Sequence, residues 1–195
     1  LEAFLLLQID DWKKILKKSM SEKRYIHSCN VADTARELAK IHGYDENKAY
    51  LAGLLHDICK EYPKEKQLEF VKKSDLDVSS QELDTYKLWH GIAGAYLLKT
   101  EYNITDEEFL KSIRYHTVAR NNMSMLEEIV YVADMVSADR EMPCVHGIRA
   151  LAKENLKLAV LSELQYSINS TIQKAGLIPK STLKAYNCYV EYIRN

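Results

Sequence analysis

Apolar residues recur along this chain at three- and four-residue intervals, the spacing that holds one face of a helix against a core. Ile9, Trp12, Ile15, Leu16 and Met20 mark a first helix, and Ser21 supplies a cap for a second. The second runs through Val31, Ala35, Leu38 and Ala39 to a stop at Gly43. Asp45 then caps a third, with Ala49, Ala52, Leu55 and Ile58 on its apolar face, so that His56 and Asp57 are expected as helix residues near its end. Pro63 stops or bends that helix, a surface helix rich in Lys and Glu follows to about residue 73, and the polar stretch 74–80 reads as a loop with lid character.

A further helix is predicted from Trp89 toward Tyr102, with His90 in its first turn and Gly91, Ala93, Gly94 and Ala95 allowing close approach of another backbone or a ligand. Thr105 with Glu108, and Ser124 with Glu127, are capping-box patterns. The first introduces a helix ending near His116; the second introduces one carrying Ile129, Val130, Ala133 and, in its later turns, Asp134. From about 145 to 174 the periodicity fits either one long amphipathic helix or a broken pair, and Gly176 is its natural stop. Pro179 and Ser181 introduce a last helix with Tyr186, Tyr189 and Val190. The elements add up to an all-α helical bundle. Its divisions are a lead-in over 1–21, a core over 22–150 and C-terminal helices over 151–195 that pack on the same core.

Only 6 Gly and 3 Pro in 195 residues agree with long helices rather than a turn-rich β fold. With 27 basic and 28 acidic side chains the chain lacks the broad basic field of a phosphate-tracking nucleic-acid binder, so no nucleic-acid partner is expected, although a local cationic pocket is compatible with it. Cys29, Cys59, Cys144 and Cys188 form no CxxC pair and fit reduced thiols in a cytoplasmic protein. The apolar patch 4–7 is too short for a membrane span and is expected to pack beside the first helix. A chain of this length buries roughly 70% of its unfolded surface without structural metals, so a metal site would have to serve function.

Four of the 6 histidines, His27, His56, His90 and His116, fall in four separate elements, with Asp57 adjacent to one and Asp134 further on. Imidazoles on one helix, as in HExxH, would be a local signal; here several helices would have to converge, and spacing alone does not show that they do. Separate caps and hydrogen-bond networks account for such histidines equally well, as they do for His42 and His146.

The set His27, His56-Asp57 and Asp134 resembles the H...HD...D signature of the HD-domain metal phosphohydrolases. The longer runs RYIHSCNVADTARELAKIHG, KAYLAGLLHDICKE, WHG, IRYHT and IVYVADMVSADR resemble the YqeK family within it, over roughly 24–149. That resemblance implies an all-α HD-domain bundle from a bacterial source and symmetrical hydrolysis of diadenosine tetraphosphate to two ADP by metal-activated water. It also implies two divalent or mixed-valence metal ions, iron first, with Mn, Co, Zn or Mg as alternatives. Carried to matching positions, His27, His56, Asp57 and Asp134 hold one ion, and His90, His116 and a bridging Asp57 help hold the other.

Mixed imidazole and carboxylate ligands suit first-row transition metals. Lys60, one turn beyond Asp57, either reaches a phosphate oxygen or is a solvated lysine at a helix end. Arg140, in the ADxxxxxR arrangement, is placed to clamp phosphates, and with Asp57 and Lys60 it completes the expected catalytic set. Thr117 and Arg120 occupy HTVAR where the family often carries HTTGR; they either touch substrate or stabilise only their loop. Trp89, Tyr115 and Tyr131 are available to stack on a base or to fill the core. The partner is a dinucleoside tetraphosphate or another nucleotide, a homodimer is compatible with the helical faces, and no membrane partner is expected. Another HD-domain nucleotide phosphohydrolase, or a noncatalytic nucleotide-binding domain, is the alternative.

Overall fold

The computed structural model describes residues 8–142 and 144–194. Among these, eleven α-helices follow one another without a strand: α1 (Ile9–Ser19), α2 (Glu22–His42), α3 (Glu46–Leu55), α4 (Lys64–Lys73), α5 (Ser80–Leu83), α6 (Trp89–Thr100), α7 (Glu107–Tyr115), α8 (Met125–Val136), α9 (Val145–Glu154), α10 (Leu156–Gln173) and α11 (Lys180–Arg194). The all-α expectation holds. No described helix is long and apolar enough to cross a membrane, and the apolar patch at 4–7 lies outside the described residues.

Local chemistry sets most helix ends. Ser21 and Asp45 accept from main-chain N–H groups at the starts of α2 and α3, Gly43 closes α2 at φ 71°, and Ser124 with Glu127 forms the capping box of α8. Two boundaries differ from the sequence reading, and one alternative it left open is settled. α3 ends at Leu55, so His56 and Asp57 lie in the tight turn that follows, closed by Ile58 N–H to the Leu55 carbonyl and Lys60 N–H to the Asp57 carbonyl. Asp106, not Thr105, caps α7, because Glu108 is drawn away to Tyr44 and Lys48. The stretch after 145 is a broken pair, because Asn155 leaves the helical region and caps α10 with its own side chain.

α2 packs along α3 and α8, α6 against α7, and α10 joins α8, α9 and α11. Phe109, Leu54, Leu55, Ile92, Leu126 and Ile129 are fully buried between them. Two crossings are closer than side chains permit. A Cβ on Gly53 would stand 2.9 Å from the Ala32 Cα, and one on Gly91 would stand 3.0 Å from the Arg114 carbonyl oxygen. These contacts bring the end of α3 onto α2 and the start of α6 onto the end of α7, the four places that carry the histidines.

Candidate metal centre

His27 lies in the second turn of α2, His56 just after α3, His90 in the first turn of α6, His116 just after α7 and Asp134 near the end of α8. Each of three rings is oriented through Nδ1. His56 donates to the Gly53 carbonyl at 2.7 Å and His116 to the Ile113 carbonyl at 2.7 Å; His27 donates to Asp139 at 2.8 Å. Carbonyl and carboxylate oxygens only accept, so Nδ1 carries a proton in each ring, and Nε2 is the nitrogen left to offer a lone pair to a metal in the neutral form. That is the arrangement of metal-binding histidines.

Asp57 is buried where these rings meet. Its Oδ2 is 3.3 Å from His56 Nε2 and 4.0 Å from His27 Nε2, while its Oδ1 is 3.1 Å from His90 Nε2 and 3.5 Å from His116 Nε2. Asp134 Oδ1 is 3.1 Å from His27 Nε2 and 4.0 Å from His56 Nε2. The structure therefore brings all six expected ligands together. Two triads, His27 with His56 and Asp134, and His56 with Asp57 and His116, each present ligand atoms within 4.8 Å of one another.

The donor set fits metal ions. His27 Nε2, His56 Nε2 and Asp57 Oδ1 are buried and make no hydrogen bond to any described residue, and His90 Nε2 stands 3.0 Å from His116 Nε2. Each such orphan costs about 1–3 kcal/mol in a dry interior, and a cation at their focus would satisfy them together.

Charge is concentrated on both sides of this focus. Burial disfavours ionised Asp57, but the surrounding His56, His116 and His90 outweigh it and hold the carboxyl well below its ordinary range. Burial also opposes the charge on Asp134, and His27, His56 and Arg140 reverse it, leaving that carboxyl far below normal. His90 is pushed down to about 4, chiefly by burial and against the pull of Asp57.

Lys60 Nζ lies 3.1 Å from His90 Nε2 and 3.9 Å from Asp57 Oδ1, so it is turned into the cluster; burial lowers its pKa. Arg140 donates to Asp134 Oδ1 at 2.5 Å and to its main-chain carbonyl at 3.0 Å. Arg120 is placed differently: both its Nε and its NH2 donate to Glu127 at 2.6 Å, a bidentate pair that ties the loop to α8. Thr117 Oγ1 is buried without a hydrogen-bond partner among the described residues and borders a cavity of about 550 Å³ shared with Lys87, Lys174 and Pro179. Tyr131 is core, and the Trp89 indole donates to the Glu82 and Leu83 carbonyls. Ala119 of the HTVAR run is held at φ 55°, a left-handed conformation that costs a residue with a Cβ more than it would cost glycine.

Three residues escaped the sequence reading. Arg24 donates to Asp57 Oδ2 at 2.6 Å, Asp139 orients His27, and Asn30 donates to Asp139 at 3.1 Å. Arg24 lies one turn before His27 on α2, a spacing that could have flagged it; Asp139 stands beside Arg140 in the quoted motif.

The HD domain model matches residues 24–139. The chain is 36% identical over 176 residues to a symmetrical bis(5'-nucleosyl)-tetraphosphatase of Halalkalibacterium halodurans, covering 89% of this chain and 92% of that one. It is 34% identical over 175 residues to the protein of the same name from Bacillus subtilis, covering 90% and 94%. Its fold matches the crystal structure of a predicted HD superfamily hydrolase involved in NAD metabolism from Clostridium acetobutylicum, with a TM-score of 0.91 at 36% identity, over 95% of this chain and 98% of that one.

Proposed function

This chain belongs to the HD-domain family and to the same family as those tetraphosphatases, and from that membership we propose that it hydrolyses dinucleoside tetraphosphates symmetrically, diadenosine tetraphosphate giving two ADP. The observation that carries the reading onto this chain is Asp57, whose two oxygens face different pairs of imidazoles. His27, His56, Asp57 and Asp134 would hold one ion, and His90, His116 and the same Asp57 a second, with iron first and Mn, Co, Zn or Mg as alternatives. Ions bound there supply Lewis acidity toward water and neutralise charge on phosphoryl oxygens.

The chain's own cations do the positioning. Lys60, Arg24 and Arg140 surround the two carboxylates, and with a tetraphosphate present their donors are placed to turn toward its oxygens, fixing its centre over Asp57. A water oxygen then bonds to one central phosphorus, the bridging P–O bond breaks, and the bridging oxygen leaves on the second ADP. A near-neutral chain thus holds a strongly anionic substrate through a local cluster.

The test is product analysis with iron- or manganese-loaded protein. ADP as the sole nucleotide product from diadenosine tetraphosphate supports the reading; AMP plus ATP, or tight binding without turnover, overturns it. Asp57→Asn should remove both turnover and bound metal while leaving helicity intact.

A further inference from the structure

A cavity of about 220 Å³ opens beside Asp134 and Arg140, between the end of α8 and α10. Met142 and Tyr166 wall it, the Tyr166 hydroxyl donating to Met142 Sδ at 3.4 Å, and Ser167 adds a hydroxyl. Glu163 of α10 lines it as well. Glu163 is only 8% exposed, and its Oε2 is buried with no hydrogen-bond partner among the described residues. Its buried neighbours along α10 are Ala159, Val160 and Leu164. An apolar side chain would suit this level of the core better than a carboxyl lacking a donor.

We propose that Glu163 accepts from the ribose hydroxyls of one nucleoside of the substrate, with the Met142 and Tyr166 walls taking its base. The assignment rests on the tetraphosphatase reading, under which Asp134 and Arg140 lie where the phosphates bind. In a nucleoside polyphosphate the unit next to the phosphates is the sugar, and its vicinal hydroxyls are donors that an unpaired carboxyl oxygen accepts. Dinucleotide-binding folds read ribose with an acidic side chain in the same way. The cavity is smaller than the roughly 300–1,000 Å³ that encloses a whole drug-sized ligand, so it takes one nucleoside and not the dinucleotide. Tyr166 is 39% exposed at the rim, which leaves the base end open and the sugar end enclosed.

Calorimetry on manganese-loaded protein with ADP, 2'-deoxy-ADP and 3'-deoxy-ADP tests this without turnover. Wild type should bind ADP about tenfold more tightly than at least one deoxy analogue, the worth of one hydrogen bond to a buried acceptor. Glu163→Gln should narrow that ratio and Glu163→Leu bring it to about one. Nucleotide-free melting temperature should be unchanged in Glu163→Gln and unchanged or raised in Glu163→Leu, which alone removes the unpaired buried polar group. Equal binding of all three nucleotides by wild type, an unaltered ratio in the variants, or a ratio that falls only together with the melting temperature would overturn the assignment. A ribose preference without cleavage of diadenosine tetraphosphate retains the sugar site and removes the hydrolase reading; cleavage without the preference does the reverse.

Discussion

Asp57 and Asp139 use the same functional group in opposite ways. Asp57 faces the focus of the cluster with both oxygens, whereas Asp139 stands behind His27, holding its Nδ1 proton and accepting from Asn30. His27 and Asn30 together outweigh partial burial and keep Asp139 below its ordinary carboxylate range, so it presents a full negative charge to the ring. Asp139→Ala should therefore leave the metal-free fold near its wild-type stability, since the side chain is about one-third exposed. Metal affinity should fall about 10- to 100-fold, the usual effect of losing a group that orients a ligand. A competition titration against a chelator measures this, and unchanged affinity would show that the ring is held without Asp139. The meeting of these six side chains was legible only through the resemblance, because no local spacing reports that His27, His90 and His116 converge. Asp139 was harder still to find: it acts on a ring 112 residues away.

Helix starts were legible where a short polar side chain sits directly before an apolar run, as at Ser21, Asp45 and Ser124, because a cap is a contact within three or four residues. The reading failed where a distant partner intervened. Glu108 completes no capping box with Thr105 since Lys48 and Tyr44 claim its carboxylate, and Lys48 also pairs with Asp106 at 2.7 Å, fastening α3 to the start of α7. Partial burial works against ionised Asp106 and Glu108, yet Lys48 lowers both below 3.8 and 4.5 respectively. Their pairing therefore stabilises the fold fully above those values and is lost as pH falls through the lower folded pKa values. Lys48→Met should cost about 1–2 kcal/mol near neutral pH, discounted for partial exposure, and the deficit should shrink in acid below 3.8. Urea melts at two pH values check it; a deficit independent of pH would assign the loss to packing. At the α6–α7 crossing, Gly91→Ala gains about 1 kcal/mol of helix propensity against about 1–3 kcal/mol of overpacking on fixed carbonyls. Net stability should fall by about 0–2 kcal/mol while the His90–His116 spacing opens, so weakened metal binding in a protein whose metal-free melting temperature drops by no more than about 8 °C is the expected signature.

The ligand cluster draws on α2, α6, α8 and the turns after α3 and α7, helices separated by long stretches of sequence and packed on one core. Such a focus concentrates unpaired nitrogen and oxygen atoms where hydrophobic packing is otherwise complete, so the metal-free fold carries their desolvation cost. A cation bound there would both remove that cost and cross-link the helices. Linkage sets the size: free metal at 100 times its dissociation constant adds about 2.7 kcal/mol for each ion bound. For a domain of this length, each kcal/mol raises the melting temperature by about 2–4 °C, so each bound ion should raise the melting temperature roughly 5–10 °C above that of the chelator-treated protein. Asp57→Asn should melt near wild type without metal and gain little on adding it, because one oxygen of the shared carboxylate no longer carries charge. An equal rise in both proteins would place the stabilising ion elsewhere. Composition could not reveal this coupling: a formal charge of -1 averages over the chain, whereas stability and chemistry here depend on which side chains meet at one buried point.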